Sequence, residues 1–170
     1  MEYTVELLPQ VGAVLDGKTI RLGDTRADVE QALGAPDHTK WNALYYLASE
    51  LRIDFDEDGR AEFIELLGGP DGTLRPMIFG VDAFRAEPKT VAALLKEKNG
   101  GDFLDNERGY SYTFQKLSVG LYRESIPENV PEMIEEAQAE GHPLSAEDIE
   151  YETRRTHWAT IGIGVEDYYR

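Results

Sequence analysis

The chain has 170 residues, 41% of them hydrophobic and 10% aromatic, with 33 acidic against 17 basic side chains and a formal net charge of −16. That length suits a single domain, residues 1–170, and that apolar content is enough to bury a core, so wholesale disorder is not expected. The charge repels phosphate backbones and anionic lipid, which argues against nucleic acid and membrane surfaces as partners, and the absence of cysteine removes disulfides, thiolate catalysis and cysteine–zinc sites. The opening Met1-Glu2-Tyr3-Thr4-Val5-Glu6-Leu7-Leu8 has no basic region followed by an apolar stretch and a cleavage site, so no secretory signal is read and the cytoplasm is expected. No apolar run approaches the roughly 18–20 residues that cross a bilayer.

In chain order, a short strand near residue 20 precedes a helix opening at Thr25, with Asp28 placed as its capping-box partner. Val29 and Leu33 point inward, and Gly34 with Pro36 beyond ends the helix. Leu51, Ile53 and Phe55 alternate with Arg52 and Asp54, and after Asp56-Glu57-Asp58-Gly59 the stretch Arg60 to Leu67 resumes, so a hairpin is expected. A second helix has Pro88 in its first turn, carries Val91, Leu94 and Leu95 on one face, and stops at Gly100-Gly101. Tyr110, Tyr112 and Phe114 alternate, then Leu117, Val119 and Leu121. A third helix spans about Glu128 to Glu140, and a fourth opens at Ser145 and runs toward Arg155. The last strand carries Ala159, Ile161, Ile163 and Val165, and its opposite face has Gly162 and Gly164, which predicts close approach by another element.

The order of elements repeats. Residues 20–67 read as strand, helix, then three strands; residues 78–165 read the same way, with a helical insertion at about 127–156 before the final strand. The expected fold is α+β: one larger antiparallel layer built from the two units, with helices packed on one side.

The stretch Leu22-Gly23-Asp24-Thr25-Arg26-Ala27-Asp28-Val29, with Leu33-Gly34-Ala35-Pro36-Asp37, resembles the helix-and-turn unit of tandem-repeat proteins of the β-lactamase-inhibitor-protein-like and outer-membrane-lipoprotein-E-like folds. The hairpin Ile53 to Gly59 with Phe63-Ile64-Glu65, and the ending Trp158 to Val165 with Tyr168-Tyr169, are similar to immunity partners of secreted polymorphic toxins in bacteria. Together these stretches cover about a third of the chain. The resemblance implies a binding protein that neutralises a toxin, and it names no contact residue. The lipobox cysteine of the lipoprotein members is absent.

Two features carry candidate chemistry. Asp54, Asp56, Asp58 and Gly59, with Glu65, match the D-x-D-x-D-G-x₅-E spacing of a calcium loop, in which carboxylates supply hard oxygen ligands and glycine allows the turn. Period-two alternation before the loop and Gly68-Gly69-Pro70 after it favour a plain hairpin turn, with calcium as the alternative. From Glu124 to Glu152 there are ten acidic residues and no Lys or Arg. Glu128, Glu132, Glu135 and Glu136 recur at spacings of three and four, so they share one helix face, with Glu124 and Glu140 flanking them. That face suits a basic protein partner; a solvated surface is the plainer reading.

His38, His142 and His157 fit no zinc motif, no Ser lies in a G-x-S-x-G elbow, and neither phosphate-binding glycine motif is present. Tyr110, Tyr112, Tyr122, Tyr168 and Tyr169 are readable as interface anchors or as half-buried cross-strand pairs. The expectation is therefore a non-catalytic binding protein of the immunity type, contacting a basic toxin through the acidic helix. The alternative is a calcium- or small-ligand-binding domain centred on Asp54–Glu65.

Overall fold

The computed structural model describes residues 2–169, which form thirteen strands and four helices. The first half comprises β1 (Tyr3–Leu8), β2 (Gly12–Leu15), β3 (Lys18–Arg21), α1 (Arg26–Leu33), β4 (His38–Lys40), β5 (Ala43–Tyr46), β6 (Leu51–Phe55) and β7 (Ala61–Leu66). The second comprises β8 (Leu74–Ile78), β9 (Val81–Asp82), α2 (Pro88–Asn99), β10 (Leu104–Asp105), β11 (Ser111–Phe114), β12 (Val119–Tyr122), α3 (Asn129–Ala139), α4 (Ala146–Arg154) and β13 (Thr160–Gly164).

The strands form two sheets. The larger has eight strands in the order β10-β11-β12-β13-β7-β6-β5-β4, and every neighbouring pair is antiparallel. Two meanders, β4–β7 and β10–β13, run inward from opposite edges and meet where Leu66 faces Ile161 and Ile64 faces Ile163. The expected antiparallel layer is therefore present. Helices α1 and α2 each lead into four strands of this sheet rather than the three expected, because β4 and β10 are short and fully exposed, and so carry no apolar alternation to read.

The smaller sheet, in the order β3-β2-β1-β8-β9, was not anticipated. Its central pair is parallel, with Val5 beside Pro76 and Leu7 beside Ile78. Val5, Leu7, Ala13, Leu15, Ile20, Leu74 and Ile78 are buried. They join Val29 of α1, Val91 and Leu95 of α2, and the inward residues of the large sheet in one hydrophobic cluster. Alternation explains the division: Leu51, Ile53 and Phe55 enter this core while Arg52 and Asp54 stay on the outer face.

Helix punctuation follows the expected residues. Thr25 and Asp28 form a reciprocal capping box, as do Ser145 and Asp148, and Pro88 and Gly100 bound α2. Helices α3 and α4 bury no residue fully and lean on each other, so the insertion is a helical hairpin at the surface, tied to the link between the halves by Arg154, 3.4 Å from Asp71.

Two contacts tie remote segments to the large sheet. The Glu50 carboxylate accepts from the Thr73 amide at 2.9 Å, its hydroxyl at 2.7 Å and the Leu74 amide at 3.3 Å, clamping the link between the halves. At the chain's other end, Tyr168 stacks on Phe63 with ring centroids 4.6 Å apart, and Tyr169 meets Phe63 edge-on at 6.0 Å. Any Cβ at Gly162 would run into the Phe63 ring, at Gly164 into Tyr168, and at Gly120 into Tyr169. The paired glycines of the last strand thus admit the aromatic end of the chain.

Gly162→Ala is expected to lower the unfolding free energy by about 1–3 kcal/mol through overpacking. In a double-mutant cycle with Phe63→Leu the losses should fall short of additive, read from denaturant unfolding. Full additivity would place the strain elsewhere.

Candidate functional site

The acidic helix is an exposed, uncompensated face. Glu128, Glu132, Glu135, Glu136 and Glu140 are all exposed, and no Lys or Arg lies on α3. Val130, Met133, Ile134 and Ala137 are half-buried on the opposite side, where α3 meets α4, so helical periodicity itself turns the carboxylates to solvent. Glu124 stands apart from this group: it follows β12 and lies 3.5 Å from Arg155, at the end of α4. The carboxylates of α4 are partly answered within the helix, since Glu150 pairs with Arg154 at 3.0 Å and Glu152 with Arg155 at 2.9 Å.

The base of this hairpin is held by buried polar groups. Arg123 is 6% exposed, donates to the Gly109 carbonyl at 2.8 Å and the Thr156 carbonyl at 3.2 Å, and lies 4.4 Å from the Trp158 ring centroid. Burial pulls its guanidinium below the usual arginine value, against the attraction of Tyr112 and Glu128. Asn129 donates to the Tyr110 hydroxyl at 2.7 Å and to Ser125 at 3.2 Å. Sequence reasoning missed Arg123: a basic residue just past a strand end gives no sign that it will be buried among aromatic rings.

The residues of the calcium spacing separate into two groups. Asp54 and Glu65 lie on the outer face of the large sheet, with Arg52 between them: Nη1 is 3.3 Å from Glu65 and Nη2 donates to Asp54 at 3.2 Å. The Arg52 Nε is 3.0 Å from Asp54 Oδ1 but is misaligned for a hydrogen bond. Asp56 instead shapes the turn, accepting from the Asp58 amide at 2.9 Å and the Arg60 amide at 3.0 Å. Asp58 is exposed in the turn, and among the described residues no three potential metal-binding side chains gather around one point.

Burial pushes the Glu65 carboxyl above its usual value; Arg52 pulls it back and Asp54 adds to the rise. Asp54 is likewise raised by burial, against Arg52. Tyr169 follows the same logic: burial, then Glu65, lift its phenol far above the ordinary range.

The histidines are dispersed. His38 stacks on Tyr45 with centroids 4.4 Å apart, His142 is exposed, and His157 places Nδ1 2.9 Å from the Phe84 carbonyl. Trp41, in the β4–β5 turn, is 91% exposed and was not singled out from the sequence, because its flanking residues carry no motif. No helix among the described residues is long and apolar enough to cross a membrane. Compared with known proteins, the chain matches no protein-family model, no curated protein and no solved structure.

A raised carboxylate disfavours its own ionised form in the folded state, so its contribution to stability is present below the unfolded value and lost as pH rises through the folded one. Glu65→Gln should therefore be at least as stable as the parent at about pH 7–8. That advantage should shrink as pH falls through the raised value toward the ordinary 4.5. Denaturant midpoints across that range test it; a variant less stable at neutral pH would show that the pairing with Arg52 outweighs burial.

Proposed function

We propose that this chain is a binding protein of the immunity type, acting in the cytoplasm, which neutralises a basic toxin domain by direct protein–protein contact. The observation that carries the reading is the uncompensated acidic face of α3 on a hairpin that buries none of its own residues. Like charges at three- and four-residue spacing cost a helix about 0.2–0.5 kcal/mol per pair, and a basic partner would reverse that cost on docking. A net charge of −16 adds long-range attraction for such a partner and repulsion of nucleic acid. The toxin class comes from the resemblance of the hairpin Ile53 to Gly59 and of the ending Trp158 to Val165.

The mechanism under this reading is occlusion with electrostatic steering. The exposed carboxylates raise the encounter rate, and residues around the hairpin then fix the orientation. No group needs to turn over a substrate.

The test is co-expression of the tagged chain with the product of its neighbouring reading frame, followed by gel filtration and a growth assay. A stable complex that silences a toxic neighbour is expected. Its association rate should fall steeply with salt, and Glu132→Lys with Glu136→Lys should slow association by about tenfold or more at low ionic strength. A harmless neighbour and no complex would overturn the immunity reading, and a salt-insensitive complex would remove α3 as the contact. A calcium-stabilised domain would behave differently, gaining melting temperature with added calcium and losing that gain in Asp54→Ala.

A further inference from the structure

The outer face of the large sheet contains a hollow of about 290 Å³ beside the aromatic end of the chain. That volume lies near the lower end of pockets that hold small molecules, about 300–1,000 Å³. The Tyr169 hydroxyl sits over Gly120, in the space a side chain there would fill, and so forms part of the hollow's floor. Tyr122, 40% exposed, lines the hollow as well.

The lining is rich in hydroxyls. Those of Ser111, Tyr122, Thr160 and Tyr169 make no hydrogen bond to another described residue, so four groups that each donate and accept face one small volume. Arg52 and Glu65 add a guanidinium and a carboxylate at the same rim. With Asp54 also pairing to Arg52, the local charge is one net negative, which turns anions away.

We propose that this hollow binds a neutral saccharide, on the juxtaposition of the Tyr122 ring, the hydroxyls of Ser111, Thr160 and Tyr169, and the Arg52–Glu65 pair. A sugar ring carries an apolar C–H face for the Tyr122 ring and a rim of hydroxyls, each both donor and acceptor. Ser111, Thr160 and Tyr169 match that rim with neutral hydrogen bonds. Glu65 accepts from adjacent ring hydroxyls and Arg52 donates to them, and such charge-assisted bonds are the stronger ones. An apolar ligand would strand these groups, and an anion would meet the excess carboxylate. This site is separate from the acidic face of α3 and does not depend on it.

The experiment is a titration of the ¹⁵N-labelled chain with glucose, galactose, N-acetylglucosamine, maltose and cellobiose, following amide shifts. At least one probe should give saturable shifts confined to the neighbourhood of Gly120, Tyr122 and Thr160. Tyr122→Ala and Thr160→Val should each weaken the fitted Kd by about tenfold while the remaining spectrum stays folded. Glu132→Lys with Glu136→Lys should leave the titration unchanged, so failure here is distinguishable from failure of the toxin-binding reading. No saturable shift with any of the five sugars overturns the proposal. Shifts that spread over the surface, or that persist undiminished in both hollow variants, overturn it as well.

Discussion

The pairing of β7 with β13 is the contact on which the rest of the molecule depends. It brings residues some hundred positions apart in the chain into register, with Ile64 against Ile163 and Leu66 against Ile161. All four are buried, and they stand at the centre of an eight-stranded layer whose two halves touch through no other strand pair. A one-residue slip at this seam would turn every inward side chain of β13 to the outer face. It would also carry Gly162 and Gly164 off that face, where Phe63 and Tyr168 occupy the space that side chains would fill. Register at the seam is thus specified twice, by isoleucine and leucine inside and by glycine outside.

Legibility in the sequence followed the strength of local signals. The strands Leu51–Phe55 and Thr160–Gly164 were readable because their large apolar residues alternate, Leu51, Ile53 and Phe55 in one and Ile161 and Ile163 in the other. Ala61–Leu66 followed from the turn that joins it to the first. Both capping boxes were signalled by Thr25 with Asp28 and by Ser145 with Asp148, although only the first was singled out as a box. The strands β1 and β2 were overlooked since their apolar runs are brief and broken by the turn before Gly12, whereas β3 coincides with the short strand expected near residue 20. Their place beside β8 rests on a parallel pairing across some seventy residues, which no local pattern announces. The acidic face of α3 was legible as helical spacing, whereas the hollow was not: its residues come from strands β6, β7, β11, β12 and β13 and from the chain's aromatic end.

Charge is treated differently in different parts of the molecule. Where carboxylates are half-buried, as at Asp54 and Glu65, one arginine serves both and burial still dominates their proton affinity. On α3 the carboxylates are exposed and no cation lies on that helix. Arg123 reverses the pattern, as a cation whose hydrogen bonds go to carbonyls and whose neighbours are the rings of Trp158 and Tyr112. Such a group is costly to desolvate and contributes by orientation, fixing where the chain leaves β12 and where it comes back.

That point of departure has a modular character. The helical hairpin leaves the sheet after Tyr122 and re-enters at Thr160, and those two residues are direct partners across the β12–β13 ladder. Arg123 bonds the Thr156 carbonyl on the returning side, closing the stem before the helices begin. Since α3 and α4 contribute nothing fully buried to the core, the ladder beneath them would be complete with a short turn in their place. The hairpin is therefore a head mounted on a self-sufficient frame: its length and surface chemistry are free to diverge, or to be exchanged by design, while the frame that presents it stays unchanged.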